Sequence, residues 1–186
     1  TRARLEGEHW VLNGRKIWIS FLDAADFTIV MARTSGEKGS RGGISAFLVD
    51  RGTPGMSIER RIPMLGGHHT HEVLFDNCRI PAGQLLGEEG KGFKTLLDGL
   101  NAERTLIAAE CIGDGYWFID RAAKYANERV VFGRPIGQNQ GVQFPIADAF
   151  IELEAANLMR WKACAMIDAH QNAGAEANMA KYLAAK

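Results

Sequence analysis

An α+β protein is expected from this chain, with strands first and helices second. Two compositional shifts carry that expectation. Residues 1–90 hold thirteen of the 21 glycines and only six alanines; residues 91–186 hold 19 alanines and eight glycines. Gly-punctuated β-branched runs favour strands, and Ala-rich periodic runs favour helices. Segregated along the chain, they make an α+β arrangement or two domains, divided at 1–88 and 89–186. A length of 186 residues and a hydrophobic share of 46% suffice for packed cores.

In the first half, His9–Leu12 and Arg15–Ser20 flank Asn13-Gly14, a type I′ hairpin signal. Phe27–Arg33 follows, then a Gly/Ser/charged loop at 34–43. Ile44–Asp50 reads as a buried strand, and Met56–Arg61 and Glu72–Ile80 complete an antiparallel set. Pro81–Gly92, Gly-rich and acidic, reads as a linker. In the second half, Lys91–Glu128 carries apolar residues at 93, 97, 100, 107, 111, 118, 122 and 125, a helical period. Residues 129–141 form a loop. A second helix reaches about His170, with Pro145 in its first turn or kinking it. Its apolar residues occupy more than one face, which asks for burial in a bundle or at a subunit interface. A third helix starts near Gly174.

Charge and motifs exclude several classes. Twenty-two Lys and Arg balance 22 Asp and Glu, giving a formal net charge of zero. Disorder is excluded, and the basic excess usual in a nucleic-acid binder is missing. No apolar run reaches the roughly 18–20 residues of a membrane-spanning helix. Cys78, Cys111 and Cys164 are odd in number and far apart, which reads as reduced thiols in an intracellular, cytoplasmic protein. The chain opens without Met or a signal-peptide core, and Ala177–Lys186 is helical with no stop after it. Both ends look cut from a longer polypeptide. Gly87-Glu88-Glu89-Gly90-Lys91-Gly92 does not have the dinucleotide-binding order, and no phosphate-binding loop or zinc-protease motif is present.

Four constellations could carry chemistry. His69 and His71 would share one face of a strand, with His68 beside them. Two imidazoles within reach of one ion suit a metal, but the sequence supplies no third ligand, so no metal is assigned. The alternative is a polar loop entering the strand at Glu72. In Trp18-Ile19-Ser20, alternation puts Trp18 and Ser20 on one face; an aromatic plane beside a hydroxyl suits a flat heteroaromatic ring, or is a half-buried sheet Trp. Glu103 falls between Leu100 and Ile107 on the apolar stripe. Partial desolvation would raise its pKa and make it a base; otherwise it is paired with a cation. Arg129, just past a helix end and near Gly133, suits a phosphate or the helix's own terminal carbonyls.

The order of these signals resembles the acyl-CoA dehydrogenase family of flavoproteins. The resemblance runs from Leu12-Asn13-Gly14-Arg15-Lys16-Ile17-Trp18-Ile19-Ser20 through Pro54-Gly55 and Glu72-Val73-Leu74-Phe75-Asp76-Asn77-Cys78-Arg79-Ile80-Pro81. It continues through Leu86-Gly87 and Gly90-Lys91-Gly92-Phe93 to Asn127-Glu128-Arg129-Val130-Val131-Phe132-Gly133 and Gln140. It implies an antiparallel β-barrel or sandwich followed by antiparallel helices of a four-helix bundle. The chain would be the family's middle β-domain plus the first part of that bundle.

Carried over by resemblance, Trp18 and Ser20 flank the flavin of FAD. Arg129 reaches the FAD pyrophosphate of a neighbouring subunit, and Phe132 and Gln140 make further FAD contacts. Val131 stands where some members have Thr. Arg104 lies near the acyl-CoA. Many members place the catalytic Glu late in the bundle, whereas isovaleryl-type and long-chain-type members place it on the first bundle helix before an Arg. Asn101-Ala102-Glu103-Arg104 matches the second pattern, which implies Glu103 as base; a Glu beyond Lys186 is the alternative. The implied activity is α,β-dehydrogenation of an acyl-CoA thioester, with electrons passed to an electron-transfer flavoprotein from a homodimer or tetramer. Nucleic acid and membrane are not expected partners, and the isolated chain is expected to be inactive. The rivals are nitroalkane oxidation or flavin-dependent oxygenation within the superfamily, and its non-catalytic DNA-binding branch.

Overall fold

The computed structural model describes residues 1–186 apart from Arg41 and the side chain of Asp98. The expected loop at 34–43 includes Arg41, which lies outside the described residues. The chain forms two compact units, Thr1–Leu97 and Asp98–Lys186.

The first unit contains β1 (Arg2–Glu6), β2 (His9–Ser20), β3 (Phe27–Arg33), β4 (Ile44–Asp50), β5 (Met56–Pro63), β6 (His69–Pro81) and β7 (Leu85–Leu86). They make one sheet in the order β5-β6-β2-β1-β3-β4-β7. Its pairings are antiparallel except β1 with β3, which meet in parallel at Arg2 and Arg33. The ring of Trp10 on β2 packs 5.1 Å from that of Phe47 on β4. Two strands, β1 and β3, separate β2 from β4 in the sheet, so this contact requires the sheet to curl over its own inner face. That face buries Leu12, Phe47, Phe75 and Ile80 in a single core. The expected α+β order, a β-domain followed by helices, is formed, and no pairing joins β5 to β7 among the described residues.

The expected hairpin at Asn13-Gly14 is not formed, because β2 runs straight through it. The turn lies one strand earlier, at Gly7-Glu8, where Gly7 has φ +61° and Glu6 pairs with His9. Asn13 and Gly14 serve another purpose. Leu12 pairs with Cys78 and Gly14 with Phe75, so β6 carries an extra residue opposite Asn13. Asn13 Oδ1 accepts the Asn77 backbone N–H at 2.9 Å and so satisfies this bulge. Gly14 has φ +138°, and a Cβ there would fall 2.6 Å from Thr1 Cα.

The second unit is helical: α1 (Gly92–Glu128, begun in the first unit), α2 (Gln140–Asp168) and α3 (Gly174–Ala184). Between α1 and α2 a short hairpin of β8 (Val130–Val131) and β9 (Arg134–Pro135) replaces the expected plain loop. Ile112 of α1 packs with Leu153 and Ala156 of α2, joined by Tyr116, Ile119 and Ala184. Gly115 explains its own place on a helix: a Cβ there would lie 2.7 Å from Leu153 Cδ1. Pro145 sits inside α2. A polar chain ties α1 to α2. The Tyr116 hydroxyl donates to Glu154 Oε1 at 2.5 Å and accepts from Asn157 Nδ2 at 3.0 Å, and Arg160 donates to Asn157 Oδ1. The bond to the Glu154 carboxylate pushes the Tyr116 hydroxyl pKa up. Ile151, Leu158 and Trp161 remain exposed on α2, in keeping with its several apolar faces. No helix among the described residues is long and apolar enough to cross a membrane.

Candidate functional site

Trp18 and Ser20 lie at the end of β2, where a second irregularity changes the expected alternation. Lys16 pairs with Val73 and Ile19 with His71, so β2 spends three steps against two on β6. The irregularity puts Trp18 at φ +65°, a conformation that costs a non-glycine residue about 1–2 kcal/mol. Trp18 is 58% exposed, and Ser20 is exposed as well. Strict alternation therefore breaks at Trp18, and what remains is an exposed ring two residues before an exposed hydroxyl.

In the α1–α2 connection, Phe132 (φ +53°) and Gly133 (φ +79°) both take left-handed backbone between β8 and β9, as a type I′ turn requires. Phe132 is 101% exposed. Arg129 sits at the end of α1, exposed, and its guanidinium makes no hydrogen bond or ion pair among the described residues. Its own helix carbonyls do not engage it. Gln140 opens α2, also exposed. Arg129, Phe132 and Gln140 thus share one short connection with free polar and aromatic groups.

Glu103 lies on α1 and is exposed. The expectation that Leu100 and Ile107 would desolvate it is not met: both neighbours are themselves only half-buried. Arg104 is better fixed, donating from Nη1 to Asn101 Oδ1 at 3.0 Å. Asn101 and Ala102 line a cleft with His170 and Asn172 of the α2–α3 connection.

The histidine segment is neither an approach loop nor an isolated pair. β6 begins at His69, where His69, Thr70 and His71 pair with Pro63, Ile62 and Arg61 of β5. The fold brings in Asp23, which sequence reading missed; 46 residues separate it from His69, and no local signal marks it. His69 Nε2 lies 3.0 Å and His71 Nε2 3.5 Å from Asp23 Oδ2. His71 is 2% exposed, and its Nδ1 is 3.3 Å from the Ile19 carbonyl. Arg61 Nη2 lies 2.7 Å from His69 Nδ1. The hydrogen bond from His69 holds the Asp23 carboxyl below the usual carboxylate range, with the two imidazoles adding to it. His68 is exposed and meets Phe21 edge-on.

Comparison with known proteins gives a family for this geometry. Residues 1–78 match the acyl-CoA dehydrogenase middle domain, and residues 90–186 match the acyl-CoA dehydrogenase C-terminal domain. The chain is 40% identical to the mitochondrial short-chain specific acyl-CoA dehydrogenase of Rattus norvegicus, over all of this chain and 45% of that protein. Butyryl-CoA dehydrogenase from Megasphaera elsdenii superposes with a TM-score of 0.88 at 35% identity, covering 99% of this chain and 49% of that one. The FAD complex of PigA superposes with a TM-score of 0.90 at 34% identity, over 98% of this chain and 48% of that one. The chain spans about half the length of these relatives. On both its units and over its whole length, the chain belongs to the acyl-CoA dehydrogenase family.

Proposed function

We propose that the chain is the flavin-holding β-domain and the start of the helical bundle of an FAD-dependent acyl-CoA dehydrogenase. One observation carries the reading: of the exposed Trp and Phe residues held in left-handed backbone, Trp18, Phe21 and Phe132, two, Trp18 and Phe132, stand at positions that the family resemblance assigns to FAD. Exposure and strain together on a large side chain point to a ligand rather than to folding. The remaining groups fit the same cofactor. The Trp18 ring and the Ser20 hydroxyl suit a planar heteroaromatic system, and the unpaired Arg129 guanidinium suits a pyrophosphate. The division at 1–88 and 89–186 belongs to this reading.

The FAD that Trp18 and Ser20 would hold would supply a two-electron acceptor for the hydrogen leaving the substrate's β-carbon. The chain's own residues do the rest. A thioester acidifies the α-carbon, and the Glu103 carboxylate accepts the α-proton. Arg104, held by Asn101, lies on the next residue of the same helix and orients the acyl-CoA. Trp18 and Ser20 would fix the plane of the cofactor, Arg129 would reach the pyrophosphate of a neighbouring copy's FAD, and Phe132 and Gln140 would make further FAD contacts. That division of labour requires a homo-oligomer, a dimer or tetramer. It is supported by the exposed apolar residues of α2, such as Leu158 at 71%. An electron-transfer flavoprotein is the proposed acceptor, and the free cysteines suit a cytoplasmic setting.

The full-length protein, given saturated acyl-CoAs of graded length and an artificial electron acceptor, is expected to form the corresponding 2-enoyl-CoA, identified by the loss of two hydrogens in mass spectrometry. Consumption of no acyl-CoA across the series contradicts the reading.

A further inference from the structure

We propose that Asp23, His69 and His71 form a binding site for a divalent transition-metal ion of the Zn2+ type. The three side chains each offer one ligand atom, and these atoms all lie within 4.8 Å of one another. Zinc bonded to nitrogen and oxygen at about 2.0–2.1 Å in a tetrahedron keeps its ligand atoms about 3.3–3.4 Å apart. The two separations to Asp23 Oδ2, 3.0 and 3.5 Å, bracket that edge. Two imidazoles and one carboxylate are a donor set for zinc and its neighbours in the first transition row rather than for Mg2+ or Ca2+, which take oxygen.

The surroundings of His71 are those of a metal ligand. Its Nδ1–H donates to the Ile19 carbonyl at 3.3 Å. In a neutral His71 ring that bond leaves Nε2 as the ligating nitrogen, 3.5 Å from Asp23 Oδ2. A backbone carbonyl behind a ligating histidine is the usual means of orienting it.

His69 sets the condition for entry. A guanidinium only donates, so Arg61 Nη2 donates to His69 Nδ1 at 2.7 Å, and His69 Nε2–H then donates to Asp23. Binding requires His69 to move its proton from Nε2 to Nδ1 and Arg61 to withdraw. No net proton is released by that exchange, and Arg61 is exposed and free to swing into solvent. Arg61 is therefore a resident cation that competes with the metal. An ion here would tie the segment after β2 to the start of β6, where His71 pairs with Ile19, the residue between Trp18 and Ser20. The inference does not depend on the flavin reading, because its readout is metal binding.

The test uses the full-length protein without a polyhistidine tag, stripped with a chelator and titrated with Zn2+ by calorimetry. Co2+ provides a visible spectrum of the bound ion. One Zn2+ per subunit is expected. Asp23→Asn and His69→Gln should each weaken binding by about tenfold or more, and Arg61→Gln should strengthen it. Zn2+ should also raise the melting temperature of wild type, by mass action, but not that of Asp23→Asn. His71→Gln, at a buried position, is read only alongside a matching circular dichroism spectrum; the two more exposed variants decide the matter without it. Absence of Zn2+ binding, or binding unchanged in both Asp23→Asn and His69→Gln, overturns the proposal.

Discussion

Glu103→Gln in the full-length protein should lower the rate of flavin reduction by acyl-CoA by about two to four orders of magnitude, the usual worth of a positioned base. The substitution keeps the shape and removes the proton acceptor. FAD and acyl-CoA should still bind, because Glu103 is exposed and neither of its hydrogen-bonding neighbours, Asn101 and Arg104, relies on it. Stopped-flow reduction under anaerobic conditions reads the effect directly. A rate within a few-fold of wild type would place the base beyond Lys186.

Phe47→Ala should cost about 3–5 kcal/mol of stability. Phe47 is 0% exposed in the middle of β4, and its ring meets Trp10 across the curl of the sheet. Removing it leaves a cavity where the two halves of the sheet meet, and backbone pairing on both sides of β4 limits how far the walls can collapse. A urea titration should show a lower midpoint with a similar slope. A loss below about 1 kcal/mol, the range of a mild surface change, would mean that the sheet does not close on this ring.

The regular parts of the fold are readable because local pattern and tertiary role agree. β3 and β4 begin and end at the residues expected for them, and the helical period locates α1 to within one residue. The misreadings have physical causes. Asn13-Gly14 has the composition of a turn, but its two properties are used separately, the side-chain amide to satisfy a bulge and the missing Cβ to admit Thr1. The polar look of His69-Thr70-His71 hides a strand, because the pairing that makes it one comes from β5 and β2. Strict alternation fails at Trp18 because one extra residue in β2 rotates everything after it.

The candidate site was readable to a different degree. The residue types at Trp18, Ser20, Arg129 and Phe132 could be picked out, while their strain and exposure could not, since both follow from register and turn type. Glu103 interrupts an apolar stripe in sequence, yet a stripe buries its polar member only when another element lies over it. Asp23 was invisible because its partners are brought to it by the return of β6. The Tyr116–Glu154–Asn157–Arg160 chain left a weak trace, three polar residues of α2 spaced by three, that became meaningful only once α1 supplied the hydroxyl.

Anaerobic titration of the FAD-containing full-length protein with a saturated acyl-CoA is the most direct check that this family fold carries acyl-CoA dehydrogenation. The oxidised flavin absorbance should bleach completely, with close to one equivalent of the preferred acyl-CoA per subunit, and should return on adding an electron acceptor. A flavin spectrum that stays oxidised across short, long and branched acyl-CoAs, in protein that retains its FAD, would contradict it.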